Sequence, residues 1–316
     1  MSIQEAEAQI KKIDEEIAAL EQTATPDVDL KTVKEELQKA RHQILSKAYE
    51  NLSGYDKVYL ARKPTRPNIR DYIGGLFERF FEQRGDRLYR DDCSIIGGIA
   101  MFGDMPVTVL GHQKGKNLEE NLQCNFGMPN PEAYRKALRI MKQAEKFKRP
   151  IITFIDTPGA YPGIQAEEHG QGEAIARNLM EMCNLTVPVI AIVIGEGGSG
   201  GALALSVANR IFMLENAVYS ILSPEGFASI LWKDSSRAQE AGEIMKLTAQ
   251  DLYAFHIADA IVKEPMGDLN RHTEMIYAQL RELLQNELTA LCKLSERALL
   301  EQRYKKFRTI GDCSGI

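Results

Sequence analysis

Two glycine-rich turns contain the residues of this chain that are best suited to chemistry. Residues 157–163 read TPGAYPG and residues 195–201 read GEGGSGG, and each turn joins an apolar run to a helical pattern. Glycine allows the backbone to approach a ligand closely and to adopt positive φ angles. The N–H groups that open a helix have no intrahelical acceptor, so they can bind an anion. One such turn could be purely structural, but two of the same design predict a site that stabilises negative charge.

The second turn also matches a dinucleotide-binding motif. Gly195, Gly197 and Gly200 fit the GxGxxG spacing between a predicted strand and a predicted helix, and Glu215 follows at the distance expected for a ribose contact. Such a motif usually opens a nucleotide-binding domain, whereas here a similar glycine turn precedes it. The dinucleotide interpretation therefore stays open as a weak alternative.

A hydrolase is the other alternative at this turn. The GxSxG spacing at residues 197–201 presents Ser199 as a nucleophile, and Asp251 followed by His256 or His272 gives the chain order of a nucleophile-elbow triad. No pattern brings either histidine close to Ser199, and a serine here also suits a turn or a helix cap. Residues 156–159 (DTPG) resemble the DxxG element of GTPases, but the chain has no GxxxxGK[ST] motif, which excludes phosphoryl transfer of that type.

The other titratable residues form no obvious catalytic or metal-binding set. His112 lies at a predicted strand end, where we interpret it as a satisfied loop histidine rather than a base. His169 follows Glu167 and Glu168 at a predicted helix start, where solvated positions are typical. The five cysteines include no C-x-x-C pair and are odd in number, which argues against a disulfide framework and against a zinc site. We expect no metal in this chain.

The composition is that of an ordinary soluble protein. The 316 residues include 39 basic and 44 acidic side chains, a net charge of −5, and 44% are hydrophobic. The longest apolar run, residues 187–194, is far shorter than the roughly 20 residues of a membrane-spanning helix. The N-terminal residues lack an apolar signal region. We therefore expect a cytoplasmic protein without a membrane partner.

Three regions follow from the hydrophobic pattern. Residues 1–50 carry two apolar stripes with steps of three and four, which predicts a helical hairpin broken near Pro26 that packs on a partner or on its own body. Residues 51–94 contain Pro64 and Pro67 and predict an irregular connecting segment. Residues 95–316 predict the main domain, which ends in helices. The long apolar stripe at residues 276–291 and the hairpin predict surface reserved for association.

Strands and helices alternate within the main domain. A strand hairpin is predicted at residues 95–101 and 107–111, and a helix is predicted from Pro131 to about residue 147. A strand at 151–155 leads through the first glycine turn into a helix. A strand at 189–194 leads through the second turn into a helix at 202–208. The continuous apolar strands indicate an α/β fold with a sheet buried on both faces.

Several longer motifs closely resemble the alpha subunits of bacterial acetyl-CoA carboxylase carboxyltransferase, over essentially the whole chain. The matching segments are residues 87–92, 125–128 (NFGM), 154–163 (FIDTPGAYPG), 195–204, and 223–233, which begins SPEG and ends WK. The chain departs from the family pattern at residues 268–270, where a second glycine is missing. It also carries His169 and Gly172 where the family often has arginine and serine, so we assign neither a required role.

The resemblance implies a crotonase-like (ClpP/crotonase) fold, a spiral of strand-strand-helix units with an N-terminal helical hairpin and a helical C-terminal extension. It also implies carboxyl transfer from carboxybiotin to acetyl-CoA, which gives malonyl-CoA for fatty acid biosynthesis. The biotin is held on a biotin carboxyl carrier protein and is not attached to this chain. The implied partners are a beta subunit with a zinc ribbon, the carrier protein and biotin carboxylase. The resemblance also implies an alpha2beta2 assembly with the beta subunit.

Through the resemblance, the second glycine turn becomes the oxyanion site for biotin. We expect the N–H groups of Gly200 and Gly201 to stabilise the negative charge, Gly197 and Gly198 to let the backbone approach, and the loop Gly159, Ala160 and Tyr161 to line the same cleft. A Cβ at Gly200 or Gly201 is then expected to stand where the biotin oxygen approaches. The residues that contact the CoA phosphates stay open, with Lys114, Lys116 and the basic cluster at residues 62–70 as candidates.

Overall fold

The computed structural model describes residues 2–23 and 30–311, and its centre is one mixed sheet. The predicted helix break at Pro26 and the last cysteine, Cys313, lie outside the described residues. The strands are β1 Glu78–Glu82, β2 Ile95–Phe102, β3 Met105–His112, β4 Ile151–Thr157, β5 Val189–Gly198, β6 Arg210–Leu214, β7 Val218–Ser220 and β8 Ala260–Val262. Their order is β1-β2-β3-β4-β5-β6-β8, and β7 pairs with the end of β5. The first three strands are antiparallel and the pairs from β3 onward are parallel.

The helices flank this sheet or extend from it. They are α1 Ile3–Thr23, α2 Leu30–Glu50, α3 Gly54–Ala61, α4 Ile69–Leu76, α5 Leu118–Gln123, α6 Pro131–Lys146, α7 Ile164–Glu168, α8 Gln171–Asn184, α9 Ser199–Leu203, α10 Pro224–Trp232, α11 Ala238–Ile244, α12 Ala249–Ala254, α13 Thr273–Leu291 and α14 Glu296–Thr309. Within the described ranges, no helix is both long enough and apolar enough to cross a lipid bilayer.

Helices cover both faces of the central strands, as the apolar runs predicted. Every residue of β4 and of β5 is buried. Successive residues of a strand point to opposite faces. Leu110 of β3 points to the face covered by α6, because Leu110 and Ile140 of α6 both lie beside Gly97. The next residue, Gly111, faces the other side, where it lies against Ile69 of α4. The central strands β4 and β5 are therefore enclosed on both faces, whereas the edge strand β1 is largely exposed.

About half of the segment expected to be irregular, residues 51–94, is regular structure. It contains α3, α4 and β1. Ser53 and Asp56 form a capping box that starts α3, and Asn68 and Asp71 form one that starts α4. The two prolines that suggested irregularity lie between these helices, so they end one element without preventing the next. The three-region division of the chain stays a prediction.

The apolar stripes expected to serve association are largely used within the chain. In α13 the side chains of the stripe belong to the main core and are buried: Ile276, Leu280, Leu284, Leu288 and Leu291. A further helix, α14, follows it. The base of the N-terminal hairpin packs on its own body, where Ile3, Ala6 and Ala48 are buried against Leu60 of α3. The expectation of a large free stripe on α13 is therefore wrong.

Candidate active site

The fold brings the two glycine turns together at one edge of the sheet. β4 and β5 are parallel neighbours, and Thr157 at the end of β4 lies opposite Gly197. A Cβ at Gly201 would lie 2.6 Å from the Ala160 nitrogen and 2.7 Å from the Gly159 carbonyl carbon, which is closer than real Cβ atoms come. A Cβ at Gly198 would collide with the Pro158 carbonyl. The two turns therefore form one tightly packed unit that only glycine at positions 198 and 201 permits.

The second turn has a different local structure from the one expected. β5 continues through Gly198, and α9 begins at Ser199 and ends at Leu203, whereas the sequence predicted a loop over 195–201 and a helix over 202–208. The chain reverses sharply at Ser199, which is exposed and has a φ of 53°. Gly200 and Gly201 are the second and third residues of α9, where backbone N–H groups have no intrahelical acceptor. The N–H groups proposed as donors thus lie at a helix start.

The role of the glycines at 200 and 201 also needs a different explanation. Gly201 is buried, and its missing side chain makes room for the Gly159–Ala160 backbone rather than for a ligand. A Cβ at Gly200 would make ordinary contact with Ile175 of α8, at 3.5 Å. At Gly201 a Cβ would therefore displace the neighbouring turn rather than block the ligand, whereas the same expectation for Gly200 stays a prediction.

A largely apolar cavity of about 590 Å³ adjoins the start of α9. Ser199 and Gly200 form part of its wall. The apolar side chains that complete the wall come from α9, β6, β7, α12 and α14 and from the residues just after β7, α12 and α14. They are Leu203, Ile211, Tyr219, Ile221, Leu252, Ile257, Phe307 and Ile310. A cavity of this kind accepts an apolar group whose one polar oxygen reaches the backbone N–H groups.

Behind the turns lies a bulge that the sequence analysis missed. Ile155 is paired with Val193 and Thr157 with Gly197, so three residues of β5 face the single residue Asp156. Asp156 Oδ1 accepts a hydrogen bond from the Glu196 N–H at 3.0 Å, and Arg66 donates to the Ile194 carbonyl at 2.7 Å. These buried bonds satisfy the backbone groups that the bulge leaves unpaired.

The basic residues suggested for CoA phosphates are all engaged with carboxylates. Lys114 lies 2.7 Å from Asp156, and Lys116 lies 2.6 Å from Asp71. Within the cluster at residues 62–70, each cation also has an acidic partner: Arg62 with Glu196 and Glu225, Lys63 with Glu7, Arg66 with Glu264, and Arg70 with Glu82. Because each of these cations is paired with a carboxylate of the same chain, the structure gives no support to the expectation that they bind the CoA phosphates.

The two histidines near the turns hold neighbouring groups in place. His112 ends β3 and is fully buried, with Nε2 3.2 Å from the Gly201 carbonyl oxygen. Burial lowers the pKa of His112 to about 4, so the ring is neutral at pH 7. His169 is half-buried and its Nδ1 lies 2.9 Å from the buried carboxylate of Glu132, whereas the sequence suggested a solvated position. Glu167 and Glu168 are exposed and are the last two residues of α7.

Neither alternative reaction gains support from this geometry. Asp251 accepts hydrogen bonds from the backbone N–H and the hydroxyl of Thr248 at the start of α12, so its carboxylate caps that helix rather than orienting a histidine. Gly195 and Gly197 lie inside β5 rather than in a phosphate-binding turn, and the Glu215 carboxylate is paired with Lys263.

In the part of the chain that the structure describes, no group of three or more His, Cys, Asp or Glu side chains could hold a metal ion.

Comparison with known proteins agrees with the motifs. The family described as acetyl co-enzyme A carboxylase carboxyltransferase-like matches residues 3–311. The acetyl-coenzyme A carboxylase carboxyl transferase subunit alpha of Listeria monocytogenes is 54% identical over 97% of this chain and 97% of its own. The protein of the same name from Geobacillus thermodenitrificans is 56% identical over 92% of this chain and 89% of its own.

Solved structures share the fold at low sequence identity. Transcarboxylase 12S has a TM-score of 0.59 at 17% identity, covering 72% of this chain and 43% of that chain. A Pseudomonas malonate decarboxylase hetero-tetramer has a TM-score of 0.59 at 14% identity, covering 77% of this chain and 92% of that chain. These neighbours confirm the crotonase-like α/β fold. The family match and the two curated relatives show that the chain belongs to the acetyl-CoA carboxylase carboxyltransferase family.

Proposed function

We propose that this chain forms the carboxyl-donor half of an acetyl-CoA carboxyltransferase site, in which a carboxyl group is transferred to acetyl-CoA to form malonyl-CoA for fatty acid biosynthesis. The observation that carries the proposal is the packing of Gly201 on the Gly159–Ala160 backbone. This contact fixes the first residues of α9 at the edge of the sheet. Carboxybiotin on a carrier protein would supply the carboxyl group when bound.

The residues at this edge suit a biotin ring. The cavity beside Ser199 and Gly200 is apolar, as the ring and its aliphatic arm require, and it adjoins N–H groups at the start of α9. Gly200 and Gly201 donate hydrogen bonds to an oxygen that becomes negative, and this needs no change of protonation in the protein. Removing one such donor typically lowers the rate by about 10²- to 10³-fold.

Neighbouring groups hold these donors rigidly. The neutral His112 ring contacts the Gly201 carbonyl, and the Gly159 N–H donates to Thr157 Oγ1 at 3.0 Å. The Tyr161 N–H donates to the Pro129 carbonyl at 3.0 Å, and Gln171 donates to the Tyr161 carbonyl at 2.9 Å. A donor that is already oriented needs no reorganisation during the reaction. The loop of Gly159, Ala160 and Tyr161 is therefore held in place against the start of α9.

The site is completed by other proteins under this proposal. The partners are a beta subunit with a zinc ribbon, the biotin carboxyl carrier protein and biotin carboxylase, with two copies each of alpha and beta in the cytoplasm. The names of the relatives, subunit alpha, support a multi-subunit enzyme. Exposed apolar side chains beside the site offer surface for a partner, among them Ile164, Ile221 and Ile230, which are 80%, 77% and 68% exposed.

Mixing the purified subunits tests this proposal. The assay follows decarboxylation of malonyl-CoA in the presence of a soluble biotin derivative, first with this chain alone and then with added beta subunit. We expect no turnover from the chain alone and activity that saturates near equal amounts of the two subunits. Full activity from this chain alone would refute the shared site.

A binding titration addresses the weak alternative. We expect no saturable binding of NAD or NADP to the assembled complex at physiological concentrations. Saturable binding that is abolished by Glu215→Ala would favour the dinucleotide interpretation instead.

A further inference from the structure

Five charged side chains form a continuous chain beneath the two glycine turns. Glu225 contacts Arg62, Arg62 contacts Glu196, Glu196 lies near Lys114, and Lys114 contacts Asp156. The distances are 2.8 Å from Arg62 Nη1 to Glu225, 2.7 Å from Arg62 Nε to Glu196, 3.7 Å from Lys114 to Glu196 and 2.7 Å from Lys114 to Asp156. Asp156 comes directly before the first turn and Glu196 is the second residue of the second turn, so the ion pairs act where both turns begin.

Arg62 joins two segments that approach the site from different directions. Its guanidinium uses Nε for Glu196, at the bulged end of β5, and Nη1 and Nη2 for both oxygens of Glu225 in the first turn of α10. A guanidinium has a planar fork of donors that can hold two carboxylates at a fixed angle, whereas a lysine acts as a point charge. Arg62 therefore sets the relative position of β5 and α10 through one rigid group.

Glu196 is the residue through which Arg62 affects the position of the oxyanion donors. Its backbone is fixed by Asp156 and its side chain by Arg62, and the donors Gly200 and Gly201 follow only four and five residues later. At Gly195 a Cβ would collide with Asp156 Oδ1, so the bulge is closely packed. Glu196 itself is only 8% exposed, which makes loss of its cation costly. A shift of this residue would move the start of α9.

On the other side of Arg62, α10 follows the segment that contains Ile221. This side chain belongs to the wall of the apolar cavity beside Gly200. A single guanidinium thus links the oxyanion donors to the cavity wall that would hold the apolar part of a ligand.

We propose that Arg62 is a positioning residue of the carboxyltransferase site, which holds the end of β5 and the start of α10 in register without contacting substrate. The proposal rests on the proposed function for its kinetic consequence. Its structural consequence, a fixed start of α9, can be measured independently.

The test compares Arg62→Met with Arg210→Met in the complex assembled with the beta subunit. Arg210 is a matched control because its Nε lies 2.9 Å from Glu287 and its side chain is 28% exposed, against 31% for Arg62, but it lies at the far end of β6. We expect Arg62→Met to lower kcat at least tenfold with KM for malonyl-CoA within about twofold, since small misplacements of reacting groups cost rate. We expect Arg210→Met to leave both constants within about twofold of wild type.

Two further variants separate positioning from a general loss of stability. Arg62→Lys is expected to recover only part of kcat, because an ammonium cannot hold both carboxylates in the same geometry. Arg62→Met combined with Glu225→Gln is expected to be no worse than Arg62→Met alone, because both changes break the same bridge. If the Arg62→Met complex fails to assemble, Arg62→Lys and Glu225→Gln are each compared with Arg210→Met instead. Both are expected to lower kcat, by less than Arg62→Met would.

Hydrogen exchange of the peptide over residues 196–205 gives the readout that is independent of activity. We expect about tenfold faster exchange in Arg62→Met and unchanged exchange in Arg210→Met. Unchanged exchange and unchanged kcat in an assembled Arg62→Met complex would overturn the proposal, and so would equal losses of kcat in the two variants. An inactive wild-type complex would contradict the proposed function alone, because the exchange comparison would still decide whether Arg62 fixes α9.

Discussion

A single methyl group at Gly201 is expected to disable the site. In Gly201→Ala the new Cβ would lie 2.6 Å from the Ala160 nitrogen and 2.7 Å from the Gly159 carbonyl carbon. Both neighbours are backbone atoms of a loop held by Thr157, Pro129 and Gln171, so no flexible side chain can move aside. Ordinary contact begins near 3.4 Å, which requires the two turns to separate by about 0.8 Å.

This displacement predicts both an activity loss and a stability loss. A misplacement of about 1 Å can cost about 10²-fold in rate, so we expect kcat for carboxyl transfer to fall by about that factor. Overpacking a closely packed contact costs about 1 to 3 kcal/mol, which thermal unfolding of the assembled complex would register. The assay is biotin-dependent decarboxylation of malonyl-CoA by the complex, with assembly checked by size-exclusion chromatography.

Two other glycines calibrate the result. Gly200→Ala meets only Ile175 at 3.5 Å, so its effect is expected to be clearly smaller than that of Gly201→Ala. Gly172→Ala in the first turn of α8 meets nothing within 4 Å and should behave as wild type. Near-normal kcat in an assembled Gly201→Ala complex would refute the argument that this contact positions the donors.

Three further predictions concern other parts of the site and the fold. Ser199→Gly is expected to keep most carboxyl transfer activity. It should raise the free energy of unfolding by up to about 1 kcal/mol, because glycine adopts the positive φ of 53° without strain. Abolished turnover would instead support Ser199 as a nucleophile. Burial holds the pKa of His112 near 4 in the folded chain, so on acidification the unfolded chain takes up the proton first. Stability should fall by roughly 3 kcal/mol as the pH drops from 6.5 towards 4, and urea unfolding of His112→Gln should lack this component. Arg303→Leu would leave the carbonyls of Met182, Leu185 and Val187 without their buried hydrogen-bond donor. Chemical denaturation should therefore show a free energy of unfolding lower by about 3 kcal/mol or more. An unchanged denaturation midpoint would contradict a stabilising role for Arg303.

The sequence was sufficient to predict the parts of the fold that depend on local patterns. The apolar runs gave the strands at residues 151–155 and 189–194, since a strand buried on both faces needs a continuous apolar sequence. The glycines marked where the two turns lie. Gly198 and Gly201 are now explained by close contact with the other turn, which no spacing rule within one segment could reveal.

What the sequence analysis missed depends on contacts between distant segments. The bulge opposite Asp156 extends β5 to Gly198, and its stability comes from Arg66 and Asp156, which lie 128 and 40 residues from the groups they bind. Arg62 belonged to a basic cluster beside Pro64 and Pro67, in a segment for which the sequence predicted irregular structure. Its role appears only when Glu196 and Glu225 are folded against it. The one local signal was an acidic residue, Glu196, inside a glycine-rich run.

Replacing single backbone N–H groups by ester oxygens tests the central claim most directly. Glycolic acid in place of Gly200 or Gly201 removes the proposed donor and adds no side chain, so the packing on Gly159 and Ala160 is kept. The same replacement at Gly172, also in the first turn of a helix, is the matched control. The account predicts a loss of about 10²- to 10³-fold in kcat for Gly200 or Gly201 and wild-type kcat for Gly172. Unchanged kcat with esters at both Gly200 and Gly201, in complexes that assemble normally, would contradict it.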